Sequence, residues 1–215
     1  MKPRSQNKVF SIMTDKIISL LEEGTVPWCQ KWDRPLPRNF TTGLEFEGFN
    51  LIYLYNMGIV KNYKSPFWLT YRQGISLQAR LKPMQYEKPE IAFVYTPSPF
   101  RLSFYDLYNV EQFERIEYQN PEPIKRLKMS FVDIGKTISY KDSFIADLQL
   151  ALTCAALRFS YKIPDHAQWT NIEKWLDALR NDNKLFVQSC YEAQELVKET
   201  LPHLLGNIAP LTKTL

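Results

Sequence analysis

Two histidines, three cysteines and 23 acidic residues are the raw material for catalysis in this chain, and their spacing offers little. His166 follows Pro164-Asp165 and His203 follows Pro202. Neither has a second His or Cys at metal-ligand distance along the chain, and the H-E-x-x-H pair of a zinc-peptidase helix is missing. Both histidines are expected at surface or capping positions. Cys29, Cys154 and Cys190 are widely spaced and odd in number, so they form neither a C-x-x-C pair nor a disulfide framework. That usage suits a reducing, cytoplasmic setting. Cys154 and Cys190 fall on apolar helix faces and read as core. G-x-S-x-G, the P-loop and G-x-G-x-x-G are absent. Carboxylates cluster at Asp142 and Asp147 and at Glu192, Glu195 and Glu199, the last three on one helical face. A solvated surface explains them, and oxygen ligands alone would suit Mg²⁺. A metal-dependent nuclease is therefore the weakest of the readings. No catalytic residue, no metal site and no cofactor is expected, and the chain is not expected to be an enzyme.

Binding chemistry is better supplied. Residues 1–82 hold 12 Lys/Arg against 6 Asp/Glu, whereas residues 83–215 hold 15 against 17, so the formal charge of +4 originates in the first part. Rings and cations interleave there. Trp28, Trp32, Trp68 and Tyr71 are candidate stacking platforms for unpaired bases. Lys31, Arg34, Arg38, Lys64, Arg72, Arg80 and Lys82 are candidate phosphate contacts. Asn39, Thr42, Asn50, Ser65 and Gln73 could hydrogen-bond phosphate or sugar. A sequence-tolerant binder of single strands needs this mixture, because stacking accepts any base and cations follow the backbone. The competing reading makes the aromatics core and the cations solvated surface. A protein imitating DNA would be strongly acidic, and this one is not.

The elements that must position these residues are legible in part. At 45% hydrophobic and 23% charged residues the composition is globular, and 215 residues are enough for one or two domains with a sizeable core. No apolar run approaches a membrane span, and MKPRSQNKVF lacks the apolar centre of a secretory signal. Residues 8–23 carry an amphipathic stripe (Val9, Ile12, Met13, Ile17, Leu20, Leu21) and predict a helix capped by Gly24. Residues 25–48 read as loop, yet they hold Trp28, Trp32, Phe40 and Phe46, which either pin the loop to a core or meet a ligand. Residues 49–60 are apolar throughout and fit a buried helix or a buried strand equally. Thr70 caps a predicted helix over 71–80. Residues 90–97 and 101–109 alternate as two strands of an antiparallel hairpin across Pro97-Ser98-Pro99. Residues 119–129 hold two prolines and mark a linker. Helices are predicted over 142–160, after an Asn171 cap, and over 183–201 with a stop at Pro202, followed by a frayed tail from Gly206. The fold class is α+β: N-terminal helices with a small antiparallel sheet, then a helical C-terminal part.

Four stretches, in order, resemble the N-terminal domain of ArdC-type antirestriction proteins, which also occurs in plasmid TraC-type primases. KVFSIMTDKIISLLEEGTVPW resembles the opening helix and G-x-x-P-W of that family. KWDRPLPRNFTTGLEFEGFN resembles its P-x-N-x-x-T-G-x-x-Y-x-G-x-N loop, NYKSPFWLTYRQG its S-P-x-W-x-T-F-x-Q-A, and FYDLYNVEQFE its Y-x-V-F-N-V-x-Q. Trp28, Trp32, Asn39, Thr42, Gly43, Gly48, Asn50, Ser65, Pro66, Trp68, Thr70, Gln73, Asn109 and Gln112 match the motifs, with Gly43, Gly48 and Pro66 expected to be structural. The family's basic, glycine-rich V-R-K-G-E-x-G turn is here ARLKPMQYEKPE, without glycine.

The resemblance implies single-stranded DNA binding without strong sequence preference. The C-terminal half of ArdC is similar to a zinc metallopeptidase, and this chain resembles only its end. DSFIADLQLALTCAAL looks like the helix that bears the downstream acidic ligand, with Asp147 at or near its place, and the histidine-bearing stretch is missing. The expected division is residues 1–118 as the DNA-binding domain, 119–141 as linker, and 142–215 as a helical remnant of the peptidase. The expected role is a single-stranded DNA-binding protein that shields incoming plasmid or other mobile-element DNA, with no peptidase activity. The alternative is an inactive-peptidase scaffold that binds a host or phage protein. RNA and a second copy of the chain are further candidate partners, and no membrane is.

Overall fold

A computed structural model describes residues 5–85, 88–96, 101–122, 143–158 and 165–208. The fold is α+β, in two compact units: Arg34–Pro123 is one, and Met1–Asp33 joins Ile124–Leu215 in the other.

In the central unit a short parallel pair, β1 (Arg38–Asn39) beside β2 (Phe67–Leu69), continues into antiparallel β5 (Arg101–Asn109) and β4 (Glu90–Thr96), in the order β1-β2-β5-β4. The predicted hairpin is present, with Glu90 opposite Leu107 and Thr96 opposite Arg101. Its Pro97-Ser98-Pro99 turn lies outside the described residues. A second, two-stranded ribbon pairs β3 (Arg80–Leu81) with β6 (Phe113–Glu114). Leu69, Ala79, Leu81, Tyr108, Val110 and Phe113 form a buried cluster, with Phe40, Phe67 and Ile116 packed against it.

The ambiguous apolar run is helix α2 (Gly48–Val60), whose first ten residues are all buried. Thirteen residues exceed the usual buried strand, and a helix satisfies its own backbone groups without ladder partners. Phe49 stacks on Tyr53 at 5.4 Å and meets Phe93 edge-on at 5.2 Å. Helix α3 (Tyr71–Ser76) starts where expected, on a Thr70–Gln73 capping box, but ends four residues early. The N–H groups of Leu77 and Ala79 both return to Gly74, and residues 80–81 are drawn into β3.

In the other unit, α1 (Gln6–Glu22) buries Val9, Phe10, Met13, Ile17 and Leu21, the predicted stripe with Phe10 in place of Ile12 and Leu20. Helices α4 (Ser143–Ala156), α5 (Asp165–Asn181) and α6 (Leu185–Ile208) follow. Boundaries differ from expectation in each: α4 ends at Ala156, short of the expected residue 160. α5 begins six residues before Asn171, which is therefore inside the helix and not its cap. α6 runs through Pro202, so His203 is helical; proline removes one N–H and need not stop a helix whose flanks continue to bond.

The sequence division placed α1 with the motifs up to residue 118. In the structure α1 belongs instead with the C-terminal helices: Thr14 Oγ1 donates to the Asn183 carbonyl at 2.7 Å, Asn183 Nδ2 to Ser11 Oγ at 2.9 Å, and Arg180 bridges to Glu22 at 2.8 Å. The expected linker lies outside the described residues from 123 onward. Cys154 and Cys190 are buried as expected, and burial pushes the Cys154 thiol up to about 12 and raises that of Cys190. Neither is an activated nucleophile.

Candidate nucleic-acid interface

The tryptophans are not stacking platforms. Trp28 is 0% exposed, and Trp32 and Trp68 are each 1% exposed. Trp28 is enclosed by Trp175 at 4.9 Å, Phe186 at 5.4 Å and Phe144 at 5.5 Å, and Trp68 packs edge-on against Tyr63 at 5.7 Å. A ring sealed on both faces has none left for a base. Each large apolar surface is worth more in a core than in water, and these three tryptophans serve as core anchors. Trp28, Lys31 and Trp32 also belong to a different compact unit from the other thirteen candidates.

The polar motif residues likewise build the backbone. Asn39 Oδ1 accepts from the N–H groups of Thr41 and Thr42 at 3.0 and 3.1 Å, and the Thr42 hydroxyl accepts from Leu44 N–H. Gly43 sits there at φ +72°, where a side chain would be strained. This is the physical content of N-x-x-T-G: an Asx turn closed by a left-handed glycine. Gln73 ties that turn to α3, donating to Thr41 Oγ1 at 2.7 Å while accepting from Thr70 N–H at 2.8 Å. Asn50 reaches from α2 to the edge of β4 and exchanges two bonds with the Phe93 backbone, at 2.7 and 2.8 Å, as a neighbouring strand would. Ser65 is buried, and its hydroxyl accepts from Phe67 N–H. Asn39, Asn50, Ser65 and Gln73, offered as ligand contacts on sequence grounds, spend these groups inside the fold. So do Asn109 and Gln112, which cap a short 3₁₀ turn at Val110–Gln112 reciprocally.

Among the expected cations, Arg38 pairs with Glu45 at 2.6 Å and Arg34 is half-buried. Lys31, Lys64, Arg72, Arg80 and Lys82 are exposed, as is Thr42. Of the four stacking candidates only Tyr71 is exposed, at 37%, at the start of α3 beside Arg72.

What the structure does bring together is a cleft of about 510 Å³ in the central unit, lined by Lys61, Tyr63, Lys82, Gln85, Lys88, Glu111 and Gln112. Of these, the sequence reading singled out only Lys82 as a ligand contact. Lys61 follows α2, whereas Lys82, Gln85 and Lys88 come from the basic turn after β3. The turn spaces them by backbone bonds, Gln85 N–H to the Lys82 carbonyl at 3.2 Å and Lys88 N–H to the Gln85 carbonyl at 3.0 Å. Pro83 and Met84 form its corner. Met84 takes φ +62°, a left-handed position that glycine would fill without strain.

Behind the cleft, Glu90 is 1% exposed and is bound by Lys61 and by the Tyr53 hydroxyl. Burial first, and then the Glu90 carboxylate, hold the Tyr53 hydroxyl well above its ordinary value. Burial, followed by Glu90 and Glu111, pushes the Tyr63 hydroxyl up to about 12, so it stays protonated near neutrality. Glu111 is committed to the backbone, accepting from Lys64 and Ser65 N–H at 2.5 and 2.6 Å. The result is a cationic recess whose acid is already engaged. Among the described residues no three His, Cys, Asp or Glu side chains gather as a metal site, and no helix is long and apolar enough to cross a membrane.

Residues 7–97 match the family described as the N-terminal domain of anti-restriction factor ArdC. Two proteins named DNA primase TraC, from Escherichia coli, are similar at 31% identity over 87 residues and 33% over 88, or 35% and 36% of this chain. The matches span only 8% and 6% of those relatives' own lengths. Crystal structures of antirestriction ArdC protein from plasmid R388 share the fold. The metal-free form superposes with a TM-score of 0.68 over 92% of this chain and 98% of that one, and the Mn(II)-bound form with 0.70 over 91% and 97%, each at 17% identity.

Proposed function

Because the chain is ArdC-like, with an ArdC N-terminal domain over residues 7–97, we propose that it binds single-stranded DNA with little sequence preference, in the service of antirestriction. The observation that carries this reading is the lysine cleft of the central unit, Lys61, Lys82 and Lys88 around about 510 Å³. Cations grouped on one recess follow phosphates, and neutralising each phosphate releases a counterion. The relatives support it by their names, one group being DNA primases and the other an antirestriction protein. Tyr71 and Arg72 add an exposed aromatic residue and a further cation on the same unit. Coating of an entering strand by such a protein would hinder nucleases that need access to it.

No peptidase activity is part of this proposal. One solved ArdC structure is Mn(II)-bound, and the described residues of this chain do not fit such an ion: first-row metals favour imidazole and carboxylate ligands grouped in threes or more, and no such group is found among them.

The test is fluorescence anisotropy with labelled single-stranded DNA, duplex DNA and single-stranded RNA across a salt series. Single-stranded DNA should bind with micromolar or better affinity, and its log affinity should fall linearly with log salt. The Lys82→Ala/Lys88→Ala double variant should lose roughly 1.4 units of that slope, at about 0.7 per phosphate contact on a single strand. A flat titration at low salt and micromolar protein refutes the reading.

A further inference from the structure

The hydrogen-bond polarity of the cleft is set by one buried backbone group. Asn109 is fully buried, and its N–H donates to Oε1 of Gln112 at 2.8 Å. A peptide N–H can only donate, so this contact decides which end of the Gln112 amide is oxygen. The Gln112 Nε2 then donates to Oε1 of Gln85 at 3.1 Å and to the Lys88 carbonyl at 3.2 Å. With its oxygen engaged, Gln85 has its NH₂ to offer the recess. Lys82 spends one N–H on the Glu111 carbonyl at 2.7 Å and retains two. Neither Lys82 nor Lys88 forms an ion pair with another described side chain, whereas Lys61 is matched by Glu90. Tyr63 keeps its proton, and Glu111 has accepted two backbone N–H groups. Both of those bonds fall on Oε1 of Glu111, so its Oε2 is the remaining acceptor of the lining, and the other groups left to meet a ligand are donors, two of them charged.

The geometry points to a phosphomonoester pocket: the cleft takes a nucleotide carrying a terminal phosphate, whether the phosphorylated end of a DNA strand or a free mononucleotide. This deepens the strand-binding reading and rests on it for the strand-end source. A phosphomonoester presents three acceptor oxygens and nearly two charges at neutral pH, whereas an internal phosphodiester presents two oxygens and one charge. Two ammonium groups and an oriented amide match the first better. The volume lies within the range of small-ligand pockets, roughly 300–1,000 Å³.

The experiment compares 3′-labelled oligo(dT) bearing a 5′-phosphate with the same strand ending in a 5′-hydroxyl, and 5′-labelled strands with and without a 3′-phosphate. Thymidine monophosphate, thymidine and inorganic phosphate serve as competitors. One phosphorylated end should bind about tenfold more tightly than its hydroxyl counterpart, the worth of one charge-assisted hydrogen bond. Thymidine monophosphate should remove that advantage and thymidine should not; displacement by inorganic phosphate at equal concentration would mean that the phosphate alone suffices. Lys88→Met, at an exposed site, should abolish the preference, so that phosphorylated and hydroxyl-ended strands bind alike, each weakened only by the loss of this one lysine's phosphate contact. Gln112→Glu, which puts an acceptor against Gln85, should do the same if it folds. Equal binding of all strand ends with no competition by the nucleotide overturns the pocket and leaves strand binding standing. A preference that survives Lys88→Met overturns the assignment to this cleft. Nucleotide binding without strand binding, lost in Lys88→Met, supports the pocket and sinks the strand-binding reading.

Discussion

Replacing Asn109 by alanine separates a contact that recognises a ligand from one that holds the fold. Asn109 is a motif residue at the end of β5, and its side chain is engaged at both ends: Oδ1 accepts from Glu111 N–H at 3.0 Å and from the Gln112 N–H of the capping box, and Nδ2 donates to the Ser65 carbonyl at 3.0 Å. Truncation removes a capping oxygen, worth about 1 kcal/mol. It also strands the Ser65 carbonyl in a buried setting, at about 1–3 kcal/mol. The sum is roughly 2–4 kcal/mol, or a midpoint lowered by roughly 5–15 °C for a chain of this size. Thermal unfolding followed by circular dichroism reads it. Asn109→Asp keeps the capping oxygen but sets a buried carboxylate oxygen against the Ser65 carbonyl, so it should destabilise at least as much as alanine. Below the midpoint, the folded Asn109→Ala protein should bind oligonucleotide within about twofold of wild type, because the side chain faces no solvent. A loss under about 0.5 kcal/mol, or a large affinity loss in a folded variant, refutes the assignment of the motif asparagine to the fold.

Trp28→Ala should destabilise by about 3–5 kcal/mol, since it empties the centre of an aromatic cluster, and should leave the affinity of the folded fraction unchanged; chemical denaturation with parallel anisotropy checks both. Gly74→Ala places a Cβ 2.3 Å from Cε1 of buried Phe113, an overlap expected to cost about 1–3 kcal/mol in a denaturant titration. Tyr71→Ala should weaken oligonucleotide binding by roughly fivefold, the lower end of about 1–3 kcal/mol for one base–aromatic stack, read by anisotropy. Alkaline unfolding should show the tyrosines of the cleft region: above pH 10 the unfolded chain releases the Tyr63 proton while the folded chain retains it to about 12. Stability therefore falls as pH rises through that window, and Tyr63→Phe should flatten the fall.

Local signals were readable in advance where local physics decides. The α1 stripe, the Thr70 cap and the β4–β5 hairpin each depend on neighbours within a few residues, and each is present. Where a distant partner decides, the sequence was silent. Tryptophan beside lysine and arginine looks the same whether it waits for a base or fills a core; Trp28 is core because Trp175 and Phe186, some 150 residues away, close over it. Asn50 and Asn109 look like surface hydrogen-bonders until Phe93 and Ser65 are brought to them. The cleft was missed because its lysines come from two separate breaks in regular structure. The cue available was the basic turn KPMQYEK, whose spacing of Lys82, Gln85 and Lys88 repeats every three residues.

The interrupted course of the chain bears on how the molecule is made and cut. The polypeptide begins one unit, leaves it after Asp33 to complete the other, and returns from residue 124. During synthesis α1 must wait, its greasy side uncovered, while some hundred and thirty residues emerge before the helices that shelter it exist. A fragment cut at residue 118 would carry that orphaned helix and tend to self-associate, whereas one spanning 34–123 sheds it and should be the soluble, strand-binding piece.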